Sequence, residues 1–121
     1  MSAPIRFRVR PIYHGSDLLI EVMGDHRSEG FPNLAAILQD ALEAAKAPHP
    51  DNLDDPKIAW TQDRYISFWT YAGGEYEIDD DIGGLFVSAN ENNIAVIADV
   101  AQALNSTGRF SKEYVSFEQF R

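Results

Sequence analysis

The sequence predicts a single α+β domain spanning residues 1–121. Its sheet is mainly antiparallel, with about five to seven strands, and two amphipathic helices lie on one face in the order β-β-α-β-β-β-β-α-β. Three observations predict it. Segments with a two-residue apolar period recur along the chain, two stretches switch to helical spacing, and Gly-Gly pairs at 73–74 and 83–84 sit between strand-like runs.

In IRFRVR, Ile5 to Arg10, apolar and charged residues alternate, the pattern of a strand with one buried face. His14 to Asp17 supply turn residues, and LLIEVM, Leu18 to Met23, reads as the returning strand of a hairpin. After GDHRSEG, the stretch FPNLAAILQDALEAAKA carries Leu34, Ile37, Leu38, Ala41, Leu42 and Ala45 at helical spacing, with Pro32 suited to a first turn. APHPDNLDDPK holds three prolines and is an exposed connection. IAWTQ (58–62), YISFWTY, EYEID and GLFVSA then read as strands. The glycine pairs suit tight hairpin turns in which both positions take positive φ. In NENNIAVIADVAQALNSTG, Asn90 is a candidate N-cap, Gly108 a C-terminal stop, and Ile94, Ile97, Ala98, Ala101 and Leu104 the buried stripe of a second helix. YVSFEQF closes the chain as a last strand.

Composition bounds the function. At 45% hydrophobic residues and without low-complexity tracts, the chain is expected to bury one core. The absence of cysteine excludes disulfides, thiolate nucleophiles and cysteine-ligated metals, and the cytoplasm is the expected location. MSAPIRFRVRPIYH lacks the continuous apolar stretch of a secretion signal, and no apolar run approaches the ~20 residues of a membrane span. Net charge is −9, and nine of the acids fall between Asp51 and Asp81 against Lys57 and Arg64. Phosphate contacts dominate nonspecific nucleic-acid affinity, so this balance argues against DNA or RNA and toward a basic partner, a cation or solubility.

Between Glu75 and Asp81 lie five carboxylates: Glu75, Glu77, Asp79, Asp80 and Asp81. On a strand, Glu75, Glu77 and Asp79 share one face and Tyr76 and Ile78 the other. One reading pairs that acidic stripe with Arg6, Arg8 and Arg10, which have the same spacing. A divalent-cation site is another, although DDDIGGLF leads into a strand rather than the helix of a calcium loop. A third is a general acid and base pair, which needs a cleft and one raised pKa. His14, His26 and His49 have no metal-ligand spacing, and no nucleophile elbow, phosphate loop or dinucleotide fingerprint is present. No catalytic residue, metal ligand or cofactor is therefore assigned. In YISFWTY the face carrying Tyr65, Trp69 and Tyr71 either stays partly open, which makes Trp69 and Tyr71 candidate interface anchors, or packs as a second small core under the 47–57 loop.

From Tyr76 onward, YEIDDDIGGLFVSANENNIAVIADVAQALNSTGRFSKEYVSF resembles small bacterial proteins that include immunity-type proteins of toxin systems. The resemblance covers the C-terminal third and implies a compact α+β protein that occludes a partner, without catalytic residues. The expected function is non-enzymatic binding of a basic partner protein, a toxin for instance, through Glu75, Glu77, Asp79, Asp80, Asp81, Trp69 and Tyr71. Two alternatives stay open: a small-ligand, cation or hydrolase site on the same carboxylates, and a self-associating module that dimerises through an edge strand such as EYVSFEQF.

Overall fold

The computed structural model describes residues 4–12, 17–26, 30–47, 64–81 and 84–115, the side chains of 64 and 65 excepted. Along the chain run β1 (Ile5–Pro11), β2 (Leu18–Val22), α1 (Leu34–Leu42), β3 (Ala45–Ala47), β4 (Arg64–Tyr71), β5 (Gly74–Asp81), β6 (Gly84–Ser88), α2 (Asn93–Ser106) and β7 (Phe110–Glu113). The strands form one seven-stranded sheet in the order β3-β4-β5-β6-β2-β1-β7. Among the described residues only the β1–β7 pair is parallel. The predicted α+β class and element order are present.

Alternation explains the layering. Phe7, Ile20, Val22, Tyr76, Ile78, Leu85, Val87 and Phe110 all project from one side of the sheet into a single core. Leu34 and Leu38 of α1 complete that core, with Val96, Ile97, Val100 and Leu104 of α2. Val96, Ile97, Val100 and Leu104 are fully buried. Each buried aliphatic or aromatic side chain of this size contributes roughly 1.5–3 kcal/mol relative to exposure. The stripe on α2 is rotated from the predicted one: Val96, Val100 and Ala103 are buried, whereas Ile94 is 57% exposed and Ala98 is exposed. Periodicity permits both stripes, and the denser valine-rich one wins the core.

Helix α1 starts as Asn33 caps it, the side-chain oxygen accepting from the Ala36 N–H at 3.1 Å. It ends at Glu43, which adopts left-handed φ 52, so the helix stops short of the predicted Ala45. Ala45–Ala47 instead pairs with β4 and takes the third strand place. The predicted 58–62 strand and the proline-rich connection after Ala47 lie outside the described residues. The last described strand is Phe110–Glu113, Tyr114 and Val115 follow it without strand assignment, and the rest of the predicted YVSFEQF strand, 116–120, lies outside the described residues. Before β7, Thr107 closes α2 and Gly108 follows at φ 74, the expected stop.

Glycine matters at the β4–β5 turn. The register pairs Tyr71 with Gly74, so the turn itself is Ala72–Gly73. Gly74 has φ 144, and a Cβ there would stand 3.2 Å from Val96, where α2 crosses close to the strand.

Helix α2 is anchored by Asn93 rather than by a cap at Asn90; its N-cap, Asn92, makes no side-chain bond. The buried Asn93 amide accepts from the Leu18 N–H at 2.6 Å and donates to the carbonyls of Leu18 (2.9 Å) and Ala89 (2.8 Å). One side chain thus ties α2 to the start of β2 and the end of β6. Asn93→Ala orphans those buried backbone groups, and we expect urea denaturation to show a loss of about 3 kcal/mol. A loss below ~1 kcal/mol would mean that water replaces the amide at no cost.

Candidate functional site: the helix-free face of the sheet

Because Tyr76 and Ile78 turn toward the helices, Glu75, Glu77, Asp79 and Asp81 project from the opposite face of β5. Four of the five candidate carboxylates thus form one row, ~7 Å between successive members. No helix covers this face among the described residues. Glu75 is exposed, while Glu77, Asp79 and Asp81 are half-buried. The fifth, Asp80, lies on the helix side, where its Oδ1 meets His26 Nε2 at 2.9 Å. The His26 side chain is 6% exposed and packs edge-on against Phe31.

The two candidate anchors are also on the helix side, which corrects the expectation of an open aromatic face. Trp69 is 6% exposed, stacks on Tyr76 at 6.5 Å and donates from Nε1 to Ser67 Oγ at 2.9 Å. Tyr71 donates to Asp99 Oδ2 at 2.6 Å. Both faces of YISFWTY carry aromatics, and the cross-strand pairing of Trp69 with Tyr76 selects the one that α2 covers. Burial, the Asp99 hydrogen bond and the Asp99 charge together raise the Tyr71 phenol well above its ordinary value.

The aromatics that do share the acidic face are Phe68 and Phe86, both half-buried. Phe68 stands opposite Glu77, and Phe86 opposite Asp79. The Phe86 ring lies over Gly84, where a Cβ would come within 2.6 Å of it. Their signal in the sequence was alternation: Phe86 sits between the core residues Leu85 and Val87.

Arg6, Arg8 and Arg10 do not pair directly across strands with the acids. They share the helix-free face, but β6 and β2 separate β1 from β5. Glu21 of β2 takes Arg8 Nε at 2.6 Å and Arg10 Nε at 3.2 Å, and Glu113 of β7 lies 3.9 Å from Arg6. Burial alone would raise the Glu21 carboxyl, yet the hydrogen bonds and charges of both arginines outweigh it and hold the group below the usual range. The sequence reading missed Glu21, although its place in a strand returning beside the arginines was the clue. The face is therefore polarised, with an arginine-rich flank beside Glu21 and Glu113 and a carboxylate row on β5.

Beside that row, Ala47, Phe68, Thr70, Glu75, Glu77 and Glu91 help to line a concavity of about 290 Å³. Asn90 Nδ2 donates to Glu77 Oε1 at 2.9 Å on its rim. Among the described residues no three His, Asp or Glu side chains are grouped so as to hold a metal ion. The ~7 Å spacing along β5 accounts for this, since hard cations need oxygens at ~2–2.6 Å from one centre. Also among these residues, no helix is long and apolar enough to cross a membrane. His14 and His49 lie outside the described residues.

Compared with known proteins, the chain matches no family model, no curated protein and no solved structure.

Tyr76 offers a check on this placement of β5. Its phenol is buried without a hydrogen-bond partner among the described residues, and burial pushes its pKa up to about 12 from 10.0. A folded value above the unfolded one means stabilisation that is complete below pH 10 and lost as pH climbs toward 12. We expect Tyr76→Phe to flatten that alkaline decline and, at neutral pH, to leave stability unchanged or raised by up to ~1 kcal/mol in denaturant melts. A neutral-pH loss above ~2 kcal/mol would contradict an orphaned phenol.

Proposed function

We propose that this protein is a non-enzymatic binding protein whose helix-free sheet face docks a basic partner protein. One observation carries the reading: Glu75, Glu77, Asp79 and Asp81 stand in a row on a rigid strand near the middle of the sheet, with Phe68 and Phe86 set opposite them. Carboxylates held by a paired strand need no ordering on association, so their field chiefly raises the encounter rate and selects the partner. Half-buried aromatics beside them supply area that a partner can desolvate, which is where affinity concentrates. The roles assigned to Trp69 and Tyr71 pass to Phe68 and Phe86. A cytoplasmic immunity-type protector that occludes a basic toxin, a nuclease for example, fits this chemistry and the likeness of the C-terminal third.

A second reading, small-ligand binding, has one observation in its favour: the concavity beside Glu75 and Glu77. An organic cation suits it better than a metal ion, given how the acids are spread. The unequal charge along the face favours the protein partner, since a single small ligand would use only one end.

The test begins with capture from native cell extract on the wild-type chain and on a variant with Glu75, Glu77, Asp79 and Asp81 reversed to Lys. We expect the wild type to retain a basic protein that the variant loses. With that protein purified, the reversal should slow association about tenfold or more at low salt and flatten its ionic-strength dependence. Equal kinetics for both chains would reject the docking face.

A further inference from the structure

We propose that two copies of the chain pair antiparallel through β7, centred on Ser111, so that one sheet continues across a two-fold axis. Strand β7 is last in the sheet order, and among the described residues no strand lies beyond it. An uncovered edge presents unpaired N–H and C=O groups, a template for another strand.

The hydrogen-bond phase of β7 limits how a second copy can fit. The Ile5 N–H donates to the Arg109 carbonyl at 3.0 Å, with Ile5 in register with Phe110. Backbone groups alternate in direction along a strand, so Arg109, Ser111 and Glu113 face β1, and Phe110 and Lys112 face outward. Outward residues must meet outward residues of the mate. Setting Lys112 against its own counterpart opposes two ammonium groups, and setting Phe110 against itself would put Glu113 opposite Thr107, the C-cap of α2, whose backbone is still helical. In the remaining register Phe110 lies opposite Lys112, Ser111 meets Ser111 on the axis, and Arg109 stands across from Glu113 at both ends.

That register is complementary in charge. Arg109 and Glu113 would meet on the helix-free face, where Glu113 already lies 3.9 Å from Arg6. The approach to the seam is open as well: no atom stands within 4 Å of where a Cβ on Gly108, just ahead of β7, would be. Tyr114, 85% exposed, and Ile94, 57% exposed, are the two large apolar side chains exposed among the described residues. Both line a groove of about 530 Å³ between α2 and the β7 flank. The two-fold would set the two grooves side by side. The net charge of −9 opposes self-association, but most excess acid lies away from this locally balanced seam, and salt screens charges beyond ~8 Å at physiological strength.

The test uses the full chain. In sedimentation equilibrium we expect twice the chain mass, and Arg109→Glu, its fold checked by circular dichroism, should weaken self-association at least tenfold. The chain has no cysteine, so Ser111→Cys introduces a single thiol. Facing residues of a non-hydrogen-bonded antiparallel pair have Cα atoms ~4.5 Å apart, within disulfide range, so mild oxidation should give a covalent dimer. Lys112→Cys should not crosslink under the same conditions. Monomer at every concentration would overturn the proposal, as would crosslinking at 112 in place of 111, or a dimer insensitive to Arg109→Glu. Binding of a different protein's strand at β7, with this chain itself monomeric, would also overturn it.

Discussion

The burial of Tyr76 and Ile78 beneath α2 is the constraint from which the rest of this account follows. Tyr76 is 1% and Ile78 4% exposed, and they alternate with the carboxylates of β5. A one-residue slip of β5 would carry Glu75, Glu77 and Asp79 into the core and expose both apolar residues. The exposure alone forfeits roughly 1.5–3 kcal/mol per side chain, and an unpaired buried carboxylate costs several kcal/mol more. No arrangement of the surface competes with that. The acidic row faces away from the helices because the core leaves it nowhere else to go.

Neighbouring strands turn this local choice into a surface. Pairing with β4 and β6 places Phe68 and Phe86 among the acids, while the chain order puts β2 and β6 between those acids and the arginines of β1. Glu21 then satisfies Arg8 and Arg10 within their own hairpin. Asn93 fixes α2 against both β2 and β6, and α2 in turn holds the core side of β5. The outcome is a sheet with one sealed side and one side patterned by charge.

What was legible in the sequence was what local period and turn chemistry control. IRFRVR, LLIEVM, YISFWTY, EYEID and GLFVSA all form strands close to where alternation places them, and both helices start near their predicted positions. The facing of Glu75, Glu77 and Asp79 away from Tyr76 and Ile78 was equally readable. Nonlocal choices were not. Alternation in YISFWTY defines two faces, but Ile66 and Phe68 on one and Trp69 and Tyr71 on the other compete for the core, and only the pairing of Trp69 with Tyr76 decides. The left-handed turn at Glu43 has no glycine to announce it, so Ala45–Ala47 read as helix. Strand order, which separates the arginines from the acids, depends on contacts that no short window contains.

Carboxyl footprinting tests the central claim most directly. Carbodiimide coupling followed by mass spectrometry would read the reactivity of each acid in the free protein and in complex with the captured basic partner. Protection of Glu75 and Glu77, with Asp40 and Glu43 on the α1 side unchanged, is the predicted result. Protection of Asp40 and Glu43 with Glu75 and Glu77 still reactive would contradict it.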